Sequence, residues 1–518
     1  MRSVLTGQDT LAVLPTGGGK SAIYQITSLL IEGPTVVVSP LIALQRDQVA
    51  ALTKRLGGGS GSQAVAANSA VGAKASAAAF DALRSGDAEF LFLAPEQLSK
   101  PETISALRDV KPSLFVVDEA HCIASWGHDF RPDYLRLGAV VEELGRPTVL
   151  ALTATASPPI RDEIVERLQM RDAAQVVQGF DRPNLRLEVA DFQDDDAKDE
   201  AVVLRAMGES KPGIVYVATR KRAVELAGRV AEYGLAGEAY HAGMRSPDRD
   251  AVQARFMAGE VDVVVATTAF GMGIDKADVR FVLHADVADS LDSYYQEVGR
   301  AGRDGDPALA VLYYRREDLG LRRFFGGGKP DAKALRKVAT LLRHAGGAVR
   351  TTALADEAGL KHAKLTGLVD LLERAGVVAV SGDGEVAAVD GAPEPKQSVA
   401  AALEVAASQH QVDDSRLQMM RGYAETQDCR RQYLLGYFGE FLDEPCGNCD
   451  SCSAGTAEEQ PDADDSPFPL QSRVRHAAWG AGLVMRYEGD RIVVLFEEVG
   501  YKTLSLDAVA RRGLLEAA

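Results

Sequence analysis

The stretch Thr10-Leu-Ala-Val-Leu-Pro-Thr-Gly-Gly-Gly-Lys-Ser-Ala22 joins an apolar strand, Thr10–Pro15, to a helix that we expect to begin at Ala22. Glycines allow a backbone to wrap closely around a phosphate group, and the N-terminus of a helix directs N–H groups at it. Lys20 is suited to neutralise the outer phosphates of a nucleotide, and the Ser21 hydroxyl to bind Mg²⁺. The alternative is a plain glycine-rich turn, but the strand, the loop and the helix together predict a phosphate-binding loop made of Thr16, Gly17, Gly18, Gly19, Lys20 and Ser21.

A second apolar strand, Leu114–Asp118, ends in two neighbouring carboxylates, Asp118 and Glu119. Asp118 is suited to hold Mg²⁺, partly through water, and Glu119 to orient or deprotonate an attacking water molecule. Such a pair also follows strands by chance, but here a phosphate-binding loop precedes it in the chain. The two motifs together predict hydrolysis of a nucleoside triphosphate, with Lys20, Asp118 and Glu119 as catalytic residues.

Four of the five cysteines lie close together in the sequence, which in a reducing compartment indicates a metal site rather than disulfides. Cys446, Cys449 and Cys452 are tightly spaced, and Cys429 would add a fourth thiolate from a helix. Four thiolates favour a closed, structural zinc site over the alternatives, a redox pair and an iron–sulfur cluster. We expect the fifth cysteine, Cys122, to be buried. The helix at Cys429 either packs inside the protein or contacts DNA through three side chains, those of Arg430, Arg431 and Tyr433.

Composition and charge limit the partners that the protein can have. The net charge is −17, which argues mildly against binding to nucleic acid. Part of the acidity is concentrated in two runs, 191–200 and 458–465, which we interpret as solvated linkers, so the local field at a binding surface can still be positive. The sequence has neither an apolar stretch of about 18 residues nor an apolar signal core at its N-terminus. We therefore predict a cytoplasmic protein without membrane contact.

Short β-branched runs alternate with helical stretches in two successive regions, the pattern of parallel sheets with crossover helices. Residues 330–390 contain three helices followed by a hairpin, which is typical of a winged helix. Residues 471–512 contain four or five short strands that we expect to form a small barrel. The glycine-rich segments 57–62 and 325–329 we interpret as a flexible surface loop and a hinge.

One longer motif resembles a known family. Residues Asp118-Glu-Ala-His-Cys-Ile-Ala-Ser-Trp-Gly-His-Asp-Phe-Arg-Pro-Asp-Tyr134 are similar to the aromatic-rich loop of RecQ helicases, which belong to helicase superfamily 2. In that family the loop senses single-stranded DNA and couples it to ATP hydrolysis. Aromatic faces can stack on bases without reading their sequence, and an arginine can meet a phosphate or a carboxylate. The resemblance implies such DNA-coupling roles for Trp126, His128, Phe130 and Arg131, the alternative being that Trp126 and Phe130 are core residues.

Further motifs of the same family follow in order along the chain. The segment Tyr295–Gly305 matches the last of them, in which Gln296 would contact the nucleotide and Arg300 and Arg303 would act as arginine fingers on the γ-phosphate across a cleft. The alternative for these arginines is a solvated surface turn. The other matching segments are 39–48, a strand-contact motif, 153–156, which links hydrolysis to domain movement, 180–185, which bridges the motor domains, and 240–244 and 266–276 in the second domain.

The residue patterns and the resemblance together predict an α/β protein with two tandem RecA-like motor domains, a winged-helix-like block, a helical zinc-binding module and a small Tudor-like β-barrel. The resemblance to RecQ helicases implies an ATP-dependent DNA helicase that moves 3′→5′ on single-stranded DNA and unwinds duplex or branched DNA in repair and recombination, with ATP, Mg²⁺ and Zn²⁺ as cofactors. A nucleotide-regulated DNA-binding scaffold with weak ATPase activity is the alternative, and an RNA helicase is a third. The expected domains are 1–185 and 186–328 (motor), 329–392 (winged-helix-like), 395–455 (zinc), 456–467 (acidic linker) and 468–518 (barrel).

The sequence departs from the family pattern in three places. Few residues precede the glycine loop, so we expect Met1 to lie inside the natural first domain, the adenine-reading segment to be missing, and ATP and GTP to be hydrolysed with similar specificity. The winged-helix-like block precedes the zinc module, and Lys361, His362 and Lys364 in it either read DNA or belong to a packing module. The C-terminus resembles the Tudor-like barrel of some superfamily-1 repair helicases, so we expect residues 467–518 to bind a protein partner and to be dispensable for unwinding.

Overall fold

The computed structural model describes most of the chain, which folds into two compact units. One unit comprises residues 1–14, 18–178 and 329–409, and the other comprises residues 15–17, 179–328 and 410–518. The described residues are 1–40, 42–56, 63–68, 71–124, 131–271, 274–326, 330–381, 384–457, 467–496 and 499–518. The predicted loop 57–62, residues 327–329 of the predicted hinge and the acidic run 458–465 lie outside them.

The first α/β domain is built on a sheet of parallel strands. Its strands are β1 (Thr10–Val13), β2 (Thr35–Val38), β3 (Gln63–Ala67), β4 (Ala88–Leu93), β5 (Leu114–Val117), β6 (Thr148–Thr153) and β7 (Ala174–Val177). Its helices are α1 (Arg2–Leu5), α2 (Lys20–Ser28), α3 (Ile42–Leu56), α4 (Ala73–Ser85), α5 (Pro101–Val110), α6 (Leu137–Glu143) and α7 (Pro158–Arg167). The strand order is β3-β4-β2-β5-β6-β1-β7. Because every pair is parallel, the carboxyl ends of β1, β2, β5 and β6 lie at one edge of the sheet.

The second α/β domain repeats this architecture with a second sheet of parallel strands. The strands are β8 (Leu185–Asp191), β9 (Gly213–Tyr216), β10 (Gly237–Tyr240), β11 (Val263–Ala266), β12 (Phe281–His284) and β13 (Ala308–Tyr314). Their order in the sheet is β10-β11-β9-β12-β13-β8. The helices are α8 (Asp195–Gly208), α9 (Arg220–Glu232), α10 (Ser246–Met257), α11 (Leu291–Val298) and α12 (Asp318–Gly326). Strands β9, β11 and β12 are buried along their whole length, as expected for a sheet covered on both faces.

The acidic run 191–200 is not a linker, and that prediction was wrong. Asp191 ends β8, Asp194 caps α8 by accepting a hydrogen bond from the Ala197 N–H at 2.8 Å, and α8 begins at Asp195. Acidic side chains in a first helical turn are favoured because the N-terminus of a helix carries partial positive charge. The concentration of aspartates therefore marks the start of a helix.

Residues 330–392 contain the three helices and the hairpin that the sequence predicts. The elements are α13 (Ala332–Ala345), β14 (Val349–Arg350), α14 (Thr351–Ala358), α15 (His362–Arg374), β15 (Val378–Val380) and β16 (Glu385–Ala388). The strands pair antiparallel in the order β14-β16-β15. The block has its own apolar core, in which Leu335, Leu365, Leu372 and Val386 are completely buried.

The remaining helices are α16 (Pro395–Glu425), α17 (Arg430–Tyr437) and α18 (Asp450–Ala454). A small antiparallel sheet follows, made of β17 (Arg473–His476), β18 (Gly480–Glu488), β19 (Arg491–Phe496), β20 (Gly500–Ser505) and β21 (Glu516–Ala517), with α19 (Leu506–Arg512) before its last strand. The order β20-β19-β18-β17-β21 makes β20 and β21 its edges among the described residues. Within the described ranges we find no helix that combines the length and the apolar character needed to cross a membrane.

Candidate nucleotide and zinc sites

The predicted phosphate loop connects β1 to α2 at the carboxyl edge of the first sheet. Gly17 and Gly19 have φ angles of 83° and 77°, in the left-handed region where a side chain would be strained. Helix α2 begins at Lys20 rather than at Ala22, so its first N–H groups lie within the loop itself. The Lys20 ammonium donates to the Leu14 carbonyl at 3.3 Å. The loop thus has the backbone geometry that phosphate binding requires.

Ser21 is held by a side chain that the sequence did not single out for this role. The Gln48 amide donates to Ser21 Oγ at 3.2 Å, and its own oxygen accepts from Gln25 Nε2 at 3.0 Å and from the Tyr24 hydroxyl at 3.3 Å. Gln48 lies in the segment that we interpreted as a strand-contact motif. Its contacts fix the orientation of the hydroxyl that we expect to bind Mg²⁺.

Asp118 follows β5 at the same edge of the sheet. Ser39, which follows β2, donates to Asp118 Oδ2 at 3.4 Å, and the Tyr134 hydroxyl donates to the Asp118 carbonyl at 3.1 Å. Burial, and then the charge of Glu119, raise the pKa of Asp118 to about 7, while Lys20 acts in the opposite direction. The two carboxylates and the Lys20 ammonium are therefore electrostatically coupled, and a cation at Asp118 would be favoured.

Glu119 has an unusual backbone and a carboxylate oxygen without a donor. Its φ of 49° places a non-glycine residue in the left-handed region, which costs about 1–3 kcal/mol and is most often seen at functional sites. Its buried Oε2 accepts no hydrogen bond from the described residues, and it lies 3.3 Å from Nδ1 of His121. The same His121 nitrogen is 2.9 Å from the Thr153 hydroxyl. Glu119 therefore combines a buried, incompletely hydrogen-bonded carboxylate with a strained backbone.

The structure gives only part of the DNA-coupling segment, since Trp126, His128 and Phe130 lie outside the described residues. Arg131 donates its backbone N–H to the Cys122 carbonyl at 2.9 Å and a guanidinium N–H to the Pro40 carbonyl at 3.2 Å. Cys122 is buried, as predicted. The end of this segment is therefore tied to the loop that follows β2.

Gln45, in the segment interpreted as a strand-contact motif, is completely buried. Its amide donates to the Ser39 carbonyl at 2.8 Å, and its oxygen accepts from Asn68 at 2.8 Å. These contacts position the loop after β2. Arg46, by contrast, is exposed.

Gln296, Arg300 and Arg303 lie on α11 and in the turn that follows it. Gln296 is half-buried, and Arg300 is buried and donates to the Gly271 carbonyl. Arg303 donates to Asp275 Oδ1 at 2.8 Å, and burial together with the charge of Arg300 lowers the pKa of Arg303 to about 10. Neither arginine has a hydrogen-bond acceptor for its Nε among the described residues. The two arginines therefore do not lie in a solvated surface turn, and their guanidinium groups favour binding of a nearby anion.

The four clustered cysteines converge on one point. Their sulfurs all lie within 4.8 Å of one another, and the Cys446 and Cys452 sulfurs are 4.0 Å apart. Tetrahedral zinc with Zn–S bonds of about 2.3 Å requires sulfurs about 3.8 Å apart. Backbone N–H groups of Cys446 and Cys452 point at the sulfurs of Cys429 and Cys449, at 3.3 and 3.4 Å. The donor set and its spacing fit Zn²⁺.

The helix after Cys429 packs inside the protein. Arg430, Arg431 and Tyr433 are all buried, and the Arg430 guanidinium pairs with Asp450 at 3.0 Å. Arg431 donates to the Leu185 carbonyl. Of the two alternatives for this helix, packing is the one observed.

Sequence reasoning missed a buried charge cluster in the second α/β domain. The Lys198 ammonium is completely buried and lies 2.6 Å from Asp318, 3.2 Å from Asp195 and 3.5 Å from Asp286. Arg222 shares Asp195 and Asp286 with it, at 3.1 and 3.0 Å. The spacing of three residues between Asp195 and Lys198 on one helix is the sequence feature that could have indicated this ion pair.

Three family descriptions match the chain: "DEAD/DEAH box helicase" over residues 1–163, "Helicase conserved C-terminal domain" over 199–305 and "RecQ zinc-binding" over 396–453. The chain is 35% identical over 457 residues to the probable ATP-dependent DNA helicase RecS of Bacillus subtilis, covering 88% of this chain and 87% of that protein. It is 34% identical over 447 residues to the RecQ helicase of the same organism, covering 86% of this chain and 62% of that longer protein.

Among solved structures, the fold is similar to that of the DUF1998 helicase MrfA bound to DNA. The TM-score is 0.52 at 15% sequence identity, and the match covers 76% of this chain and 60% of that one. At this identity the likeness concerns the fold alone.

Proposed function

The chain belongs to the RecQ family of ATP-dependent DNA helicases, and we propose that it uses ATP hydrolysis to move 3′→5′ along single-stranded DNA and to unwind duplex and branched DNA in repair and recombination. The observation that carries this proposal is the meeting of Lys20 and the Asp118–Glu119 pair at one edge of a parallel sheet. A site of this kind stabilises the charge that develops on a transferred phosphoryl group. This chain covers 62% of the length of the RecQ relative named above, and the preferred DNA structure is part of the proposal.

In this proposal the first domain holds the nucleotide phosphates. The N–H groups of the loop and the Lys20 ammonium bind the phosphates, while the Ser21 hydroxyl and Asp118 hold Mg²⁺, which neutralises phosphate charge when bound. Gln48 fixes the Ser21 hydroxyl in the required direction. Glu119 accepts a proton from the attacking water and orients it, because its carboxylate lies beside that of Asp118 at the edge of the sheet. The residues proposed for the phosphate loop are Thr16, Gly17, Gly18, Gly19, Lys20 and Ser21.

We assign Gln296, Arg300 and Arg303 to the nucleotide as well. The arginines would stabilise charge on the terminal phosphate, a role that suits two neighbouring guanidinium groups whose Nε–H donors have no acceptor among the described residues. The aromatic-rich segment would connect DNA binding to hydrolysis through the residues Trp126, His128, Phe130 and Arg131.

The four cysteines hold a structural zinc ion in this proposal, since four thiolates leave no open coordination position for chemistry. The nucleotide-regulated scaffold is not favoured, because the relatives are named ATP-dependent helicases and both carboxylates are present. A cytoplasmic location, and a protein partner for the C-terminal sheet, remain predictions.

Unwinding assays with tailed duplexes test this function. We expect ATP-dependent separation of a duplex that carries a 3′ single-stranded tail, little separation of the 5′-tailed duplex, and none when ATP is replaced by a non-hydrolysable analogue. A matched RNA duplex provides the control for the nucleic acid. Equal unwinding of both tailed duplexes would refute the polarity, and failure to unwind any DNA substrate would refute the proposed function.

A further inference from the structure

The C-terminal sheet, defined here as strands β17–β21 with α19, packs closely against the zinc-binding region. The Tyr501 ring stacks on the Tyr437 ring, with centroids 5.2 Å apart and planes inclined by 26°. The Tyr501 N–H donates to Ser415 Oγ at 3.0 Å. Gly500 has a φ of 71°, and a Cβ there would lie 2.1 Å from the Ser415 oxygen, so only glycine permits this approach. The sheet is thus in direct contact with α16 and α17.

A first chain of contacts runs from the sheet to helix α11. Tyr501 stacks on Tyr437, and the Tyr437 hydroxyl donates to Asp292 Oδ2. Burial, and then Asp292 itself, raise the pKa of Tyr437, so the hydroxyl keeps its proton and remains a donor. Asp292 lies completely buried in the first turn of α11, and its other oxygen has no hydrogen-bond donor among the described residues. The Tyr437 hydroxyl is therefore a principal partner of a buried carboxyl group.

A second chain of contacts reaches the same helix independently. The buried Arg486 guanidinium of β18 lies 3.4 Å from the centre of the Tyr433 ring. Tyr433 contacts Tyr423 edge to face at 5.8 Å, and the Tyr423 hydroxyl is 3.2 Å from that of Tyr294. Tyr294 belongs to α11. A cation held against an aromatic ring in a dry environment is favourable, which keeps these side chains in one arrangement.

We propose that the C-terminal sheet positions helix α11, and with it Gln296 and the arginines that follow, so that nucleotide turnover depends on the sheet. The inference rests on the proposed function for its effect on catalysis. This proposal replaces the expectation that residues 467–518 can be deleted without loss of unwinding. Tyr501, Tyr437 and Arg486 are positioning residues, since none of them lies on the helix that carries the nucleotide-binding groups.

Hydrogen–deuterium exchange in the full-length, zinc-loaded protein tests the positioning directly. Tyr437→Phe removes the hydroxyl donor to Asp292, and Tyr501→Leu removes the stacked ring. We expect amide exchange of residues 291–303 to become about tenfold faster in each, since losing a hydrogen bond to a buried carboxyl costs roughly that factor. Tyr501→Phe keeps the ring and restores parental exchange.

Tyr487→Phe is the matched control, because it removes a tyrosine hydroxyl that binds the backbone of Phe468, just before the sheet begins. Exchange of residues 291–303 should be unchanged in this variant, and each variant should keep its zinc. Unchanged exchange in Tyr437→Phe and Tyr501→Leu would overturn the inference. Equal acceleration in Tyr487→Phe would also overturn it, since general loosening would then explain the result.

The steady-state rate of ATP hydrolysis supplies a second measurement. We expect kcat to fall about fivefold in Tyr437→Phe while KM for ATP changes less than about twofold, because misplaced arginines weaken the transition state more than ground-state binding. If the parent hydrolyses ATP and Tyr437→Phe has the same kcat and the same KM as the parent, the inference is contradicted. If the parent itself shows no ATP hydrolysis, the proposed function fails, and the exchange experiment still decides whether the sheet positions α11.

Discussion

The two α/β domains have the same parallel architecture, and each contains a buried charge in a contrasting environment. In the first domain, Glu119 keeps a buried oxygen without a hydrogen-bond donor among the described residues, on a backbone with a φ of 49°. In the second domain, the buried Lys198 is surrounded by Asp195, Asp286 and Asp318, all within 3.5 Å. A charged group left without partners is costly, whereas a paired one is tolerated.

This difference separates the groups that carry out chemistry from those that maintain the fold. We expect substitutions at the incompletely paired groups of the first domain to remove activity and leave stability intact. We expect substitutions in the paired cluster of the second domain to lower stability first. Substitution of a zinc ligand should lower stability the most, because the free energy of metal binding at such a site contributes directly to folding.

The largest expected effect is therefore loss of zinc. Metal analysis should find one zinc ion per chain in the parent, and Cys446→Ser should release it and destabilise the zinc-binding region by about 10 kcal/mol, the usual size for structural zinc. Cys122→Ala, which changes the one cysteine outside the cluster, should retain the metal. Iron in place of zinc, or full zinc content in Cys446→Ser, would contradict the assignment.

The next effect concerns the phosphate loop. Lys20→Ala should lower the rate of ATP hydrolysis by about a thousandfold, since the ammonium compensates the charge on the reacting phosphates. The midpoint of thermal unfolding should change little, because the Lys20 side chain is only half-buried. Lys74→Ala, at an exposed position of α4, is the control. Parental turnover in Lys20→Ala would show that the loop does not bind the reacting phosphates.

The opposite behaviour is expected at the charge cluster. Lys198→Met removes the buried cation shared by Asp286 and Asp318, leaves each with a single arginine partner, and should cost about 3–5 kcal/mol of stability. Chemical denaturation followed by exchange in α8 measures this cost. Lys221→Met breaks the exposed pair with Glu225 and should cost under about 0.5 kcal/mol. Similar stability of the two variants would break the proposed distinction between the domains.

The smallest effect is expected at the winged-helix-like block, which has a separate core. Lys361 and Lys364 are exposed at the start of α15, and Lys364 forms a surface ion pair with Asp331 at 2.9 Å. If these lysines contact DNA, Lys361→Glu combined with Lys364→Glu should weaken binding of duplex DNA about threefold to tenfold at low salt, with a shallower salt dependence. Titrations at two salt concentrations measure this. Parental affinity would favour a packing role for the block.

Sequence reasoning located the elements that carry strong local patterns. Strands β1 and β5 lie within two residues of their predicted positions, because buried parallel strands are continuous apolar runs. Strand β3, Gln63–Ala67, was missed because its alanines have little β-propensity. Strand β7, Ala174–Val177, was missed since it is short and mostly exposed at the edge of the sheet.

In the candidate sites, too, only the residues that belong to local sequence patterns could be predicted. Spacing alone identified Lys20, Asp118, Glu119 and the cysteines, since these residues belong to contiguous motifs. The contacts of Gln48 with Ser21, and of Tyr437 with Asp292, join residues far apart in the chain. Their geometry follows from the tertiary packing of different elements, which no local pattern records.

The most direct test of the central claim is the Glu119→Gln variant, measured for ATP binding and for hydrolysis in the presence of single-stranded DNA. The substitution keeps the shape of the side chain and removes its ability to accept a proton, so we expect ATP binding within about twofold of the parent and turnover lower by about a thousandfold. Glu102→Gln, at an exposed position in α5, should leave both unchanged. Hydrolysis by Glu119→Gln at the parental rate, with ATP bound normally, would contradict the claim that this carboxylate activates the attacking water.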